Sequence, residues 1–392
     1  MISLLKQQNI FIFLLFLWTV SIPFKNAIYQ GSIITLIIFF VIYIIKNRDY
    51  NNFKILFYKY KDLFIAFSLI ILSMTISNII NDVSKTEAWH LEFSYIYRYA
   101  FIFIILIYFY SKKFFSKQLF VTFVFISLGI QGLDGVFQSI TSYDIFKHNI
   151  GNLTDGLSGV TFNRNIFGFF VALGVILSFF LIRKDNIFNK INFIVFPFFI
   201  IFIFCTLFSY SRAAWVSIFI AFSFYIIMNY KKINIKYIFI SGIIFIILFF
   251  IISNVDLLQN RFEQLLKGDS SLRNVIWLNA IELIKEKLIF GWGLDTWKNY
   301  GMKEFAGVHN IILEILFFMG FFGLLAFIYF FILVIKEIFN VKNYVLLTFV
   351  VFMLVVGQFD HSIITGKTYL SPMVILMFFV FVYRVEKKEK IA

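Results

Sequence analysis

Cysteine is almost absent. The 392-residue chain has one, Cys205, inside an apolar run, which excludes an internal disulfide and a cysteine-built metal site within one chain. Charge is sparse too, with only 14% of residues charged. No Asp-x-Asp occurs, so the common carboxylate clamp for a metal-bound nucleotide or lipid phosphate is missing. A P-loop, His-Glu-x-x-His and Gly-x-Ser-x-Gly are missing as well. An enzyme of this composition that handles phosphates is expected to neutralise them with arginines, with no metal and no cofactor. There is no internal repeat and no low-complexity linker.

What is present is apolar. Hydrophobic residues make up 61% of the chain and the mean hydropathy is +0.89. Soluble domains are closer to half apolar, so the composition predicts an all-α polytopic membrane protein. A span needs roughly 17–25 largely apolar residues. Twelve runs, give or take one, meet this need: 9–24, 28–45, 63–80, 95–110, 119–139, 166–182, 191–208, 213–229, 237–252, 309–335, 344–358 and 369–383. The eleventh has a short core. No small-residue cleavage site follows the first, which reads as a retained span rather than a signal peptide. The expected organisation is spans one to nine over 1–252, a large loop over 253–308, and spans ten to twelve with a tail over 309–392.

Loop charge alternates along the chain. One set of connections holds Lys6, the 46–61 cluster, Lys112, Lys113, Lys117, Arg183, Lys184, Lys190, Lys231, Lys232, Lys236, Lys336, Lys342 and the basic C-terminal tail. That set carries the excess of positive charge, and the other set is balanced. Lys and Arg concentrate on the cytoplasmic side, so both termini are expected there and 253–308 on the outside. The net charge of +14 is therefore topology and contact with membrane lipid, not a nucleic-acid patch. The long connections 81–94, 140–165 and 253–308 all fall on the outer face, where the work is expected. Within the last, Leu272, Val275, Ile276, Leu283, Ile284 and Leu288 recur at helical spacing after Ser270, a plausible N-cap. They predict an amphipathic helix of about five turns, ended by Gly291-Trp292-Gly293.

Charged residues at the outer ends of spans are costly and so are functional candidates. Arg212, in the turn Ser209-Tyr210-Ser211-Arg212, reads as a phosphate ligand or as an arginine snorkelling to lipid headgroups. Arg273, near the start of the loop helix, reads as a second phosphate ligand or as a solvated helix charge. His309 precedes a long apolar helix, whose N-terminus disfavours the imidazolium and keeps the ring able to take a proton. The alternative for His309 is a capping or interfacial role. Glu314, one turn into that helix, reads as a support for Asn310 or for an arginine. Gly320 and Gly323 read as a small-residue face for close helix packing. His361 is a rival base, with Asp360 and Lys367 in the same last outer loop. Arg98 and Asp134 read as a pair or as a lining of the chamber. Asn163, Arg164 and Asn165 open span six and read as binders of sugar hydroxyls.

These residues fall into a pattern that resembles the bacterial O-antigen ligases, within the wider group of O-antigen polymerases and protein O-oligosaccharyltransferases. Ser211-Arg212-Ala213-Ala214-Trp215 is similar to the family's Ser-Arg turn. Ser271-Leu272-Arg273 through Trp277, then Gly291-Trp292-Gly293, is similar to its Arg-x-x-x-Trp helix and Gly-x-Gly. His309-Asn310 with Gly320 and Gly323 resembles the ligase pattern of His, a small polar residue, nine residues and Gly-x-x-Gly. Gly159 to Asn165 is a fainter fourth match. One departure is Val216, where the ligases often carry Leu.

The resemblance implies a GT-C-like fold with a periplasmic helical loop between spans nine and ten, in the bacterial inner membrane. It implies glycosyl transfer from a glycan on undecaprenyl pyrophosphate to lipid A–core, with inversion of the anomer. Arg212 and Arg273 would hold the pyrophosphate, and His309 would deprotonate the acceptor hydroxyl. Asn310, Glu314, Asn165, Asp360 and Arg98 would support them. The first rival is a polymerase with a lipid-linked glycan as acceptor, although charge-balanced outer loops favour the ligase. The second is a twelve-span transporter, which the position of the long loop disfavours.

Overall fold

Long apolar runs have no water to satisfy their backbone, so each must satisfy itself as a helix. A computed structural model describes residues 2–24, 26–83, 85–151, 153–182, 189–230, 254–268, 272–305, 307–359 and 366–389, and these are helical throughout apart from turns and loops. The helices are α1 (Ile2–Ser21), α2 (Asn26–Asn47), α3 (Tyr50–Lys59), α4 (Lys61–Ile80), α5 (Lys85–Tyr95), α6 (Ile102–Ser111), α7 (Lys117–Thr141), α8 (Arg164–Leu181), α9 (Lys190–Phe208) and α10 (Arg212–Asn229). They continue as α11 (Asp256–Leu266), α12 (Arg273–Glu286), α13 (Trp297–Tyr300), α14 (Ile311–Val341), α15 (Tyr344–Val356), α16 (Lys367–Phe381) and α17 (Tyr383–Glu389). A six-residue π-helical stretch, Ile96–Phe101, joins α5 to α6. Among the described residues there is no strand, only an isolated bridge between Tyr143 and Asn149.

Nine helices among the described residues are long and apolar enough to cross a membrane. The chain is an all-α polytopic membrane protein. Every run expected from hydropathy coincides with a helix except the ninth, 237–252, which lies outside the described residues. α15 is 13 residues long, in line with the short core of the eleventh run.

The chain forms two compact units. The first comprises 1–123, 272–346 and 357–392. Its spine is α4 against α14, with α1 beside α2 and α16 beside α6. Phe11, Phe39, Tyr43, Phe109 and Phe114 form a ring cluster, with Phe11 and Phe109 centred 4.0 Å apart. Several charged side chains of this unit pair across long stretches of sequence. Arg384 grips Asp62 with two hydrogen bonds of 2.7 and 2.8 Å and reaches Glu337 at 3.2 Å. Lys117 pairs with Glu386 at 2.9 Å. Asp49 takes Lys112 and the Tyr108 hydroxyl.

The second unit comprises 124–271 and 347–356. α8 packs along α9, α10 against α8, and α11 against α10. Close approach relies on glycine: a Cβ on Gly174 would lie 2.7 Å from the Phe202 ring, and one on Gly168 would lie 2.6 Å from Ser211. The long connection before α8 is folded rather than loose. Both oxygens of Asp134 accept backbone N–H groups, from Ile145 at 2.8 Å and Val160 at 2.7 Å. The Gln138 side-chain oxygen accepts from Ser158 and Gly159, each at 2.9 Å.

Candidate functional site

His309 lies just ahead of α14, partly exposed, with φ +56°. Asn310 is the N-cap: its side-chain oxygen accepts from Leu313 N–H at 3.0 Å, and its amide donates to the Gln358 carbonyl at 3.3 Å. The Ile311 N–H donates to the Gly357 carbonyl at 3.0 Å. Two first-turn groups of α14 and its cap are thus bound, which fixes the backbone that carries the imidazole. Glu314 is buried one turn further in, with its N–H on the Asn310 carbonyl at 2.8 Å.

The glycines read as a packing face do something more specific. Gly320 has φ +65° and ψ −162° and breaks α14. An unbroken helix would pair Phe321 N–H with Phe317 O and Phe322 N–H with Phe318 O. Instead, a strap of residues 288–293 inserts and satisfies all four groups. Trp292 N–H donates to Phe317 O at 2.7 Å and Gly293 N–H to Phe318 O at 3.0 Å. Phe321 N–H donates to Leu288 O at 2.8 Å and Phe322 N–H to Ile289 O at 3.2 Å. Helix α4 supports the strap. Ser77 donates to Phe318 O at 2.6 Å, Asn81 donates to Gly291 O at 2.9 Å, and Asn78 accepts from Leu294 N–H at 2.8 Å. Lys287 bonds Asn81 and stands 4.2 Å over the Trp292 ring.

Arg273 is the first residue of α12, which packs against α14. The expected cap, Ser270, lies outside the described residues, and Leu272 stands at the cap position with φ +65°. α12 runs 14 residues, shorter than expected, because the chain turns at Lys287 into the strap rather than continuing to Gly291. Arg273 thus opens one helix and His309 precedes another within one unit, and the strap joins the two helices.

Arg98 belongs to the π-helical stretch and is 8% exposed. Its Nε donates to the Tyr97 hydroxyl at 3.1 Å, and the guanidinium stands 5.4 Å from the Tyr97 ring and 6.0 Å from that of Tyr29. Its surroundings are phenolic. Asp134, its expected companion, is occupied by the two backbone amides described above.

The second unit holds Arg212. The residue opens α10, and Ser211 caps that helix by accepting from Ala214 N–H at 3.4 Å. Ser209 is fully buried and accepts from Ser211 N–H at 3.2 Å, so the serines build the turn. Asn163 caps α8 with bonds from Asn165 and Ile166 N–H, which is a local structural use of the residue read as a sugar binder. Asn165 follows in the first turn and is half-buried. Asp360 and His361 lie outside the described residues. Sequence reading missed the strap's supports, although Ser77, Asn78 and Asn81 stand together at the end of an apolar run.

Fold and site describe a multi-span membrane protein whose arginine and histidine candidates stand at helix starts. Residues 197–328 match the family model described as O-antigen ligase. The matched stretch encloses Arg212, Arg273 and His309. No curated protein matches the chain.

Proposed function

We propose that the protein is an O-antigen ligase, which transfers a glycan from undecaprenyl pyrophosphate to a sugar hydroxyl of lipid A–core at the outer face of the bacterial inner membrane. The observation that carries this reading is the family match over 197–328, which takes in all three chemical candidates. Geometry supports it. Arg212 and Arg273 each open a helix, and His309 stands two residues ahead of one. Helix starts offer unpaired N–H groups and positive potential to an anion.

In this mechanism Arg212 and Arg273 hold the pyrophosphate and stabilise its growing charge. The acceptor oxygen attacks the anomeric carbon from the face opposite the leaving group. The bond from that carbon to the phosphate oxygen breaks, and its electron pair leaves with undecaprenyl pyrophosphate. His309 takes the acceptor's proton. Opposite-face attack inverts the anomer, by the logic of single displacement at a sugar carbon. Asn310 holds the backbone of the base, while Glu314, Asn165, Asp360 and Arg98 support the substrate chamber.

The test is to incubate purified protein with a lipid-linked glycan, with and without lipid A–core. Glycan on lipid A–core supports the ligase. Longer lipid-linked chains formed without lipid A–core would identify a polymerase instead.

A further inference from the structure

Tyr210 is, with Gln131 and Ser178, a buried side chain of the second unit whose polar atoms find no partner among the described residues. It is 4% exposed, has φ +53°, and its hydroxyl has no hydrogen-bond partner among the described residues. A buried donor left unmade costs roughly 1–3 kcal/mol, so the position calls for an acceptor. The ring is held in place. Gly156, at φ +90°, lies so close that a Cβ there would be 2.9 Å from Tyr210 Cδ2. Leu157 N–H bonds the Phe208 carbonyl at 2.8 Å, which ties the loop to the same turn.

Three arginines lie near this turn, and one of them acts on the hydroxyl. Arg212 follows two residues later at the start of α10. The Arg164 Cδ would lie 3.5 Å from a Cβ added to Gly156. Arg261, on α11, acts electrostatically on the phenol and offsets part of what burial does to it; burial pushes the Tyr210 hydroxyl above its usual value. Arg261 bonds Gln264 at 3.0 Å and has no ion-pair partner among the described residues. A phenol that needs an acceptor, with the Arg261 guanidinium acting on it, suits a ligand that accepts only and carries negative charge. Phosphate oxygens meet both conditions.

We propose that the Tyr210 hydroxyl and the Arg261 guanidinium extend the Arg212 position into a seat for a lipid-borne diphosphate, with Tyr210 donating to one phosphate oxygen and Arg261 balancing the charge. This rests on the reading of Arg212 as a phosphate ligand. A phospholipid headgroup carries the same chemistry with less charge, and competition between the two lipids distinguishes them.

The experiment measures binding of undecaprenyl pyrophosphate to the full chain in phosphatidylcholine nanodiscs, with phosphatidylglycerol as the competing lipid. Wild type is compared with Tyr210→Phe, Arg261→Gln and Arg212→Gln, and the unfolding midpoint of each ligand-free protein is recorded. Tyr210→Phe and Arg261→Gln should each weaken diphosphate binding about tenfold. Ligand-free Tyr210→Phe should melt at or above the wild-type temperature, because it loses an unsatisfied group. A lower midpoint would make the hydroxyl structural and overturn the proposal. Wild-type binding by Tyr210→Phe, beside a loss in Arg212→Gln, would remove Tyr210 and leave the Arg212 reading standing. Wild-type binding by all three variants would overturn both. Equal affinity for phosphatidylglycerol would overturn the assignment to a diphosphate.

Discussion

Gly291 and Gly320 meet main chain to main chain. A Cβ on Gly291 would lie 2.6 Å from the Met319 nitrogen, and one on Gly320 would run into the Ile289 carbonyl. Both residues have positive φ. This contact lets the strap take over two helical hydrogen bonds of α14, and backbone of this kind is tolerated at membrane depth only where protein buries it.

Gly320→Ala should therefore be costly. The new methyl meets backbone that cannot rotate away, and the left-handed conformation adds strain of order 1–3 kcal/mol. Gly323 differs in having no positive φ, and although its added Cβ would crowd the Met319 Cβ at 2.3 Å, the three nearest atoms it would meet are side chain rather than backbone. Unfolding midpoints in detergent should drop clearly for Gly320→Ala and less for Gly323→Ala. Equal midpoints for the two would contradict the strap account.

Asn78→Ala should loosen the strap from the α4 side. It removes the acceptor for Leu294 N–H and the donor to Glu92 at 3.2 Å. An unsatisfied buried amide costs roughly 1–3 kcal/mol. Limited proteolysis should cut the 288–303 region faster in the variant, and transfer should slow because α12 and α14 lose their fixed joint. Unchanged cleavage would show that Asn78 does not hold the strap.

A pH effect is expected at Asp49. Burial alone would raise its carboxyl, but hydrogen bonds from Lys112, Tyr108 and Asn52 outweigh that and hold it below the usual value. A depressed folded value contributes stability that is present above the unfolded value, about 3.9, and is lost as pH falls through the folded one. Asp49→Asn should thus melt below wild type at pH 7, and the gap should close as pH drops below about 4. A gap independent of pH would place the effect in packing instead.

The spans were legible because a run of 17–25 apolar residues has few other fates. The Asn163 cap was legible in principle, being a short polar residue just before an apolar helix. The break at Gly320 was not. A glycine inside a long apolar run looks the same whether it serves a close helix crossing or a helix opening. Only the hydrogen bonds from residues 288–293 and from α4 distinguish them, and those partners are far away in sequence. The start of α12 at Arg273 was equally hidden, since Leu272 adopts a left-handed conformation that its side chain does not favour.

The proposed role of His309 is to deprotonate the acceptor during glycan transfer to lipid A–core. The most direct measurement is the transfer rate of His309→Ala beside wild type, with saturating lipid-linked glycan and lipid A–core, in protein shown to fold by its unfolding midpoint. Loss of a general base predicts a fall of about 10²–10⁴-fold with the midpoint unchanged. A folded His309→Ala protein that transfers within a few-fold of wild type would contradict this role for His309.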